Sequence, residues 1–431
     1  MNTPFIIFLA IIAMEYIGVD RHYLPFLKAL PLIAVATLFL FVIMFFKYGV
    51  KEISDNKQTK LLLLFIFLTG LATLHGLISS YALQYFIQQI GYFILFFVAY
   101  HVIDDVMKIK TFMKMFVLFH SFMAIVNYDM YFAIVREGVF TAGYFLGDGN
   151  DFAWSMVISS GFGIYFFVEE KNFQKKLLYA IILLPVIYAI LGTQSRGAVL
   201  ALGASVLYYW LVVSKKKILG MMLIVCSVIA VISFAPSQYT HRLETIGSYQ
   251  EDGSAMGRIK AWGTAVEMAL DHPVLGVGAG SVNSAYGRLY RKASDPVRWI
   301  STHSIYFKTL AEYGFIGVSI YILLIYSTWK DNKLTSRKII ASKLTDNYSP
   351  LLPESINMSL CGYAVGGMFL GGINYPHLFL LISLTLRLKS LVNYESSQMS
   401  SNNKHELDDK YKYSDYYEAH NSGDLEFSHH D

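Results

Sequence analysis

Apolar stretches of about 20 residues recur along most of the chain, and short polar connections separate them. An α-helix needs about 20 apolar residues to cross the hydrocarbon core of a membrane. Strands of a membrane barrel are shorter and alternate in polarity. The pattern therefore predicts an all-α polytopic membrane protein with about twelve transmembrane helices, near residues 4–18, 28–46, 61–80, 82–101, 111–135, 151–168, 177–193, 197–214, 218–235, 302–328, 353–372 and 374–392.

One long polar interval breaks this pattern, from Pro236 to Thr302. It divides the chain into an N-terminal bundle of about nine spans (1–235), a large loop that contains an amphipathic helix (236–302), and the C-terminal spans (303–392). Residues 393–431 are polar, acidic on balance and poor in aliphatic side chains, so we expect them to form a disordered tail.

The connections between the predicted spans alternate between lysine-rich and lysine-poor. Cytoplasmic loops of membrane proteins collect Lys and Arg. The lysine-rich connections should therefore face the cytoplasm, together with both termini, and the 236–302 loop should face outward. The basic connections lie near residues 47–60, 108–110, 171–176, 215–217 and 330–343.

Composition agrees with a membrane setting and narrows the function. Hydrophobic residues make up 55% of the chain and charged residues only 15%, whereas globular proteins carry about 25% charged residues. The formal net charge of +4 is too small to indicate nucleic-acid binding. Cys226 and Cys361 lie far apart in apolar stretches, without metal-ligand spacing or a disulfide framework. We predict no cofactor and no metal site.

Arg196 is the first candidate functional residue. It lies in a polar break, residues 191–198, between two apolar runs, which is predicted to be an outer turn of a helical hairpin. An arginine near a membrane tends to form an ion pair or to serve a substrate pathway, and its guanidinium group matches a phosphate. The alternative is an arginine that only reaches towards the membrane interface.

Arg258 and Lys260 lie in the first turn of a predicted amphipathic helix, near residues 257–270. The helix dipole disfavours cations at that position, so a bound anion would relieve the repulsion. The alternative is a basic turn that contacts lipid headgroups. The apolar face, which would rest on the bilayer or on the bundle, is predicted to consist of Ile259, Trp262, Val266 and Ala269.

Three glycines follow Pro273 at positions 276, 278 and 280. They resemble part of a dinucleotide-binding fingerprint, but no strand precedes them and the third spacing is wrong. We interpret them as a tight re-entrant turn.

His303 opens the tenth predicted span, beside Ser304. A histidine titrates near neutral pH and can accept a proton from a sugar hydroxyl. Glu312 lies nine residues further, at a different level of the helix, where it could orient another group. The alternative for His303 is a structural hydrogen bond at the membrane interface.

Other polar side chains have structural explanations. Asp148 and Asp151 flank Gly149-Asn150 at the start of the sixth predicted span, where we expect Asn150 or Asp151 to cap the helix. Because they have no partners at useful spacing, three further histidines are expected to be packing residues: His75, His101 and His120.

Two arginines and a histidine on one side of a membrane suit glycosyl transfer. The arginines could hold a diphosphate and stabilise it as a leaving group, while the histidine activates an acceptor hydroxyl. At these residues, over roughly 140–330, the sequence resembles the O-antigen ligase / O-antigen polymerase superfamily of bacterial inner-membrane proteins. The resemblance rests on Ser195-Arg196-Gly197, on the segment from Gly257-Arg258 to Gly280, and on His303-Ser304 followed after nine residues by Gly314-x-x-Gly317. The 148–151 segment is similar to ligase-like proteins of exosortase-associated exopolysaccharide systems.

The resemblance implies metal-independent, inverting transfer of a glycan from undecaprenyl diphosphate to a hydroxyl acceptor on the periplasmic face of the inner membrane. Arg196 and Arg258 would bind phosphate and His303 would activate the acceptor. The predicted substrate-binding set also includes Lys260, Ser304 and Glu312. The partners would be the lipid-linked donor, a glycan, lipid or protein acceptor, and the bilayer.

Three alternatives remain open. The first is a polysaccharide chain polymerase of the same superfamily. The second is a transporter or flippase for lipid-linked glycans, which would need polar or broken helices near the bilayer centre. The third is a scaffold that uses its acidic tail as a docking segment.

Overall fold

The computed structural model of the chain describes residues 2–28, 30–76, 79–131, 140–214, 253–291 and 301–421. All regular secondary structure in these ranges is helical, which confirms the all-α prediction. The principal helices are α1 (Thr3–Ile17), α2 (Leu32–Tyr48), α3 (Lys57–Thr73), α4 (Ser79–Val102), α5 (Val106–Val126), α6 (Gly149–Glu169), α7 (Phe173–Gly192), α8 (Arg196–Tyr208), α9 (Gly253–Asp271), α10 (Ile305–Ala341), α11 (Leu351–Gly366) and α12 (His377–Asn421).

Short helical segments join several of these helices. The α-helical ones are Val19–His22, Lys51–Ser54 and Val282–Ala285. Single 3₁₀ turns occupy Pro25–Leu27, Tyr128–Met130, Tyr144–Leu146 and Leu344–Asp346. Tyr209–Val213 and Tyr286–Tyr290 form π-helical turns, the first of which continues α8.

Six helices in the described part of the chain are long and apolar enough to cross a membrane: α4 (from Tyr81), α5, α6, α7, α8 with its π turn, and α10. Helices α1 and α2 are apolar but shorter. The predicted span at 218–235 lies outside the described residues, as do residues 236–252 and 292–300 of the polar loop.

The C-terminal half departs from the predicted boundaries. Helix α11 ends at Gly366, ten residues before Pro376, so an ordered turn separates it from α12 where two abutting spans were expected. Helix α12 continues to Asn421, beyond the predicted end of the last span at residue 392. The disorder predicted for residues 393–431 stays a prediction. No Gly or Pro occurs between 377 and 421, so nothing interrupts helix propagation. Residues 422–431 lie outside the described residues.

Helix α6 lies at the centre of the bundle and is buried on nearly every side. Its small residues let α11 approach closely, because a methyl group at Gly161 would lie 2.4 Å from the Ser359 Oγ. Trp154 of α6 donates its indole N–H to the Gly362 carbonyl (3.3 Å) and stacks on Tyr363 with ring centroids 4.9 Å apart. This packing fixes the N-terminus of α6, which contributes to the candidate site.

The three histidines that were predicted to be packing residues lie in the described part of the chain. His101 and His120 are buried, and the two ring nitrogens of His120 lie 2.7 Å from the Phe116 carbonyl oxygen and the Ser155 Oγ. His75 is exposed at the end of α3, so the packing prediction is wrong for this residue. A polar imidazole at the last turn of a helix can remain hydrated at little cost.

Candidate functional site

Three helix N-termini meet at one end of the bundle, and the side chain of the residue that precedes each helix caps it. Asp148 caps α6 by accepting a hydrogen bond from the Asn150 amide (2.8 Å). Ser195 caps α8 and Ser304 caps α10, by accepting from the amides of Ala198 (3.4 Å) and Phe307 (3.5 Å). The expected cap of α6 is therefore shifted, because Asp148 takes the place proposed for Asn150 or Asp151. Helix N-termini carry positive partial charge, which favours bound anions.

The turn between α11 and α12, residues 367–376, connects these N-termini. The Gly367 carbonyl accepts a hydrogen bond from the Ile305 amide (2.8 Å). Phe369 packs against Gly197, where a methyl group would lie 2.8 Å from the Phe369 Cβ. A methyl group at Gly371 would lie 3.7 Å from the His303 Cα. The turn thus brings the start of α8, with Arg196, and the start of α10, with His303, to the same place.

His303 adopts an unusual backbone conformation beside this turn. Its φ of +43° lies in the left-handed region, while its neighbours Thr302 and Ser304 are buried. For a residue with a Cβ, this conformation is less stable by about 1–2 kcal/mol, so contacts with the surrounding residues must hold His303 in it. The conformation leaves the His303 side chain exposed to solvent.

Two charges act on the His303 imidazole. Protein atoms around its recess and the positive charge of Arg258 lower the pKa of His303 from its ordinary value, and the negative charge of Asp148 opposes this effect. A histidine with a pKa below about 6.5 is mostly neutral at pH 7. His303 is therefore in the form that accepts a proton, although a cationic side chain lies close by.

Trp262 fixes helix α9 against the start of α10. It lies one turn after Arg258, on the same side of the helix. Its indole N–H donates to the Thr302 carbonyl (2.8 Å), and its ring stacks on Phe307 with centroids 4.9 Å apart and an interplanar angle of 11°. Trp262 thus contacts residues on both sides of His303, which places Arg258 within electrostatic range of the imidazole.

The buried face of α9 differs from the predicted one. Ile259 is 46% exposed, whereas the face that packs on α10 consists of Ala261, Ala265, Met268 and Ala269. The predicted members Trp262 and Val266 are half-buried, and only Ala269 is fully buried. Alanines carry a weak hydrophobic signal in a sequence pattern, but they let two helix backbones approach closely. The helix therefore turns its small residues inward and leaves Ile259 outside.

The glycine-rich segment 272–280 forms a tight turn, as predicted, and it docks on a kink in α10. Gly276, Gly278 and Gly280 have φ angles of +61°, +100° and +64°. Gly314 of α10 has a φ of +65°, which breaks the helix locally. Backbone groups of α10 beside the kink form hydrogen bonds with the turn instead. The Ala311 carbonyl accepts from the Val277 amide (2.8 Å), and the Phe315 amide donates to the Pro273 carbonyl (2.9 Å).

A second polar group lies in the first two turns of α10. The Lys308 Nζ lies 3.2 Å from the Tyr85 hydroxyl and 4.7 Å from the centroid of its ring. The positive charge of Lys308 also interacts with the carboxylates of Glu312 and Asp151. Asp151 accepts a hydrogen bond from the Tyr375 hydroxyl (2.7 Å). Lys308, Tyr85 and Tyr375 were not predicted from the sequence, because their partners come from separate helices. The available signal was the i, i+4 spacing of Lys308 and Glu312 in an apolar helix.

The remaining predicted site residues occupy different environments. Arg196 is half-buried at the first position of α8, and Lys260 is exposed on α9. Ser304 is 1% exposed, so its cap lies beneath the surface beside His303. Glu312 is also 1% exposed, and the backbone amides of Gly280 and Val282 face its carboxylate. The structure thus brings Arg258 and His303 together, with Arg196 on the adjoining turn, and places Glu312 deeper.

Residues 179–322 match the family model described as O-antigen ligase. This segment of the chain is similar to the O-antigen ligase family. The match confirms the resemblance inferred from the sequence motifs, and it identifies a membrane enzyme of the ligase or polymerase type. No curated protein matches the chain.

The O-antigen ligase segment extends from α7 into the middle of α10 and covers about a third of the chain. It contains Arg196, Arg258 and His303. Asp148, Asp151, Tyr85 and Tyr375 lie outside the matched residues but line the same end of the bundle. Elements before and after the O-antigen ligase segment therefore complete the candidate site.

Proposed function

We propose that this protein is a membrane glycosyltransferase that moves a glycan from undecaprenyl diphosphate to a hydroxyl group of an acceptor. The observation that carries the proposal is the pairing of an exposed His303, whose pKa is lowered, with the positive charge of Arg258. In glycosyl transfer from a diphosphate, a neutral base can take the proton of the acceptor hydroxyl and a cation can stabilise the leaving diphosphate.

In this proposal the arginines hold the donor. Arg258 and Arg196 bind the diphosphate, and the capped N-terminus of α8 adds positive partial charge. Lys260, exposed two residues after Arg258, contributes a further cation at the mouth of the site. These groups stabilise undecaprenyl diphosphate as it leaves, so the side chains supply the positive charge without a required metal ion.

His303 acts on the acceptor. The acceptor hydroxyl attacks the anomeric carbon of the donor glycan from the side opposite the diphosphate, and His303 takes the hydroxyl proton. The bond between the anomeric carbon and the phosphate oxygen breaks, a glycosidic bond forms with inverted configuration, and undecaprenyl diphosphate is released. Ser304, as the cap of α10, holds the backbone of His303 in place.

The proposed orientation follows from the basic connections. With about twelve spans and both termini in the cytoplasm, the starts of α6, α8 and α10 face the periplasm of a bacterial inner membrane. The opposite end of α10 carries Lys330, Lys333 and Lys338, in agreement with a cytoplasmic location. Helix α9 then lies on the periplasmic side, where it supplies Arg258.

Arginine and histidine variants test this function. We expect Arg258→Ala and His303→Ala to reach the membrane at wild-type levels but to abolish glycan transfer in cells that lack the native copy. Ile259→Ala is the matched control, because Ile259 adjoins Arg258 on an exposed face of α9 and should retain transfer. Normal transfer by both the Arg258 and His303 variants would exclude the proposal.

A transporter of lipid-linked glycans is the second candidate, and one observation favours it. Helix α10 is broken at Gly314, beside the buried carboxylate of Glu312, and broken helices with buried charges occur in transporters. Purified protein in liposomes separates the two functions. Movement of the lipid across the bilayer without formation of a glycosidic bond would favour the transporter.

A further inference from the structure

We propose that Asp151, Tyr375, Lys308 and Tyr85 form a carbohydrate subsite that binds the acceptor beside His303. This inference rests on the proposed function and assigns the acceptor to a chemical class, a hydroxyl-rich glycan. Asp151 is the specificity-determining residue of this subsite, and Lys308 is a positioning residue.

Charges of both signs act on His303. Arg258 acts on the imidazole as a positive charge and Asp148 acts on it as a negative charge. The carboxylate of Asp151 adjoins that of Asp148 and interacts with it. A diphosphate would be attracted by Arg258 and repelled by the Asp148 carboxylate. The carboxyl groups of Asp148 and Asp151 therefore suit a neutral ligand that donates hydrogen bonds, as the hydroxyl groups of a sugar do.

Asp151 has the capacity to accept such hydrogen bonds. It is half-buried, and its Oδ2 already accepts from the Tyr375 hydroxyl at 2.7 Å. Within the described residues, no side chain or backbone group donates to its Oδ1. A carboxylate oxygen held in a partly desolvated position gives directional recognition of a sugar hydroxyl.

Lys308 holds this arrangement in place. Its charge attracts both Asp151 and Glu312, and its Nζ lies 3.2 Å from the Tyr85 hydroxyl. Tyr85 and Tyr375 are half-buried, so part of each side chain stays accessible. Aromatic rings with a polar tip provide apolar contact for a ligand together with hydrogen bonding. These residues come from α4, α6, α10 and the 367–376 turn.

The test compares the kinetic constants for donor and acceptor. The assay uses full-length purified protein, undecaprenyl-diphosphate glycan as donor, and the surface glycan of the same organism as acceptor. We expect Asp151→Asn to raise the acceptor KM roughly ten-fold, because it replaces a charged acceptor of hydrogen bonds by a neutral amide oxygen. The donor KM should stay unchanged.

Four further variants complete the design. Tyr375→Phe removes only a hydroxyl group and should raise the acceptor KM less than Asp151→Asn does, which keeps the test valid if Asp151→Asn fails to fold. Lys308→Met should raise the acceptor KM, and Lys308→Arg should restore it in part. Glu267→Gln is the matched control, because it removes an exposed carboxylate of α9 that belongs to neither the donor site nor the subsite, and it should leave the acceptor KM unchanged.

The outcomes separate this inference from the proposed function. An unchanged acceptor KM in Asp151→Asn and Tyr375→Phe, or a rise in the donor KM alone, would overturn the subsite while leaving the transferase intact. Absence of transfer by the wild-type protein would instead count against the proposed function, and the subsite would fall with it.

Discussion

At the scale of single residues, His303 is the centre of the site. Its left-handed backbone presents the imidazole to solvent between two buried neighbours, while Arg258 and Asp148 act on its charge in opposite directions. Because the protonated form of His303 is disfavoured, the residue should serve as a base at neutral pH.

This environment predicts the pH dependence of transfer. The pKa of His303 is lowered, so transfer should persist below pH 6.5 and decline only as pH falls through the lowered value. Asp148 raises the pKa of His303, so Asp148→Asn should lower it further and move the acid limb of kcat/KM to lower pH. The measurement is a pH–rate profile of both proteins.

An exposed acid outside the candidate site supplies a control for this profile. Asp129→Asn removes an acidic charge from the 3₁₀ turn Tyr128–Met130 and should leave the acid limb in place. An acid limb that stays unchanged in Asp148→Asn, or that moves to higher pH, would show that His303 is not the group that titrates.

The sequence predicted which residues carry chemistry better than it predicted which residues they contact. Arg196, Arg258 and His303 stand in recognisable motifs, and two of them meet in the structure. Lys308, Tyr85, Asp151 and Tyr375 carry no motif, and their contacts join four parts of the chain. Such contacts depend on helix packing, which hydrophobic periodicity does not encode.

At the scale of elements, the docking of the 272–280 turn on α10 determines where α9 lies. The turn follows α9 directly and bonds to the kink at Gly314. Helix α9 in turn carries Arg258 and Trp262. The kink is therefore a structural requirement for the position of Arg258 relative to His303.

Replacement of Gly314 tests this requirement. A methyl group there would lie 2.4 Å from the Pro273 carbonyl oxygen, on a backbone with φ of +65°. We expect Gly314→Ala to destabilise the protein by about 1–3 kcal/mol and to reduce transfer, because the strained conformation no longer suits the residue. Thermal unfolding in detergent measures the stability change.

Gly263→Ala is the matched control for this substitution. Gly263 lies within α9 and has no atom near its potential Cβ. Because alanine favours a helix over glycine, this variant should be as stable as wild type or more stable by about 0.5–1 kcal/mol. Equal stability of Gly314→Ala and Gly263→Ala would refute the role of the kink.

The helix boundaries were less predictable than the helices themselves. The apolar periodicity indicated α11 and α12, but it assigned residues of the 367–376 turn to spans. This turn is apolar in composition because Phe369 and neighbouring residues pack inside the bundle. Its glycines and Pro376 were the available signal. The face of α9 was misassigned for a related reason, since close packing selected alanines over larger apolar residues.

At the scale of the whole molecule, the account requires the site and the lysine-rich connections to lie on opposite sides of a membrane. The alternation of lysines along the sequence predicted this orientation. In the described part of the chain, six helices have the length and composition to span a bilayer.

Cysteine labelling tests the orientation. In a background with Cys226 and Cys361 replaced by alanine, Gly263→Cys should react with a membrane-impermeant maleimide added to intact spheroplasts. Lys171→Cys should react only after permeabilisation. Both positions are exposed, so access to the reagent is what distinguishes them. The reverse labelling pattern would invert the proposed topology.

The release of undecaprenyl diphosphate by purified protein tests the central claim most directly. The assay contains the lipid-linked glycan donor, an acceptor and EDTA, and it compares wild-type protein with His303→Asn. Asparagine adopts the left-handed backbone more readily than most residues, so this variant removes the imidazole with little strain. The account predicts that release by the wild-type protein persists in EDTA and is lost in His303→Asn at unchanged thermal stability. Loss of wild-type release in EDTA that returns with Mg²⁺, or wild-type release by His303→Asn, would contradict it.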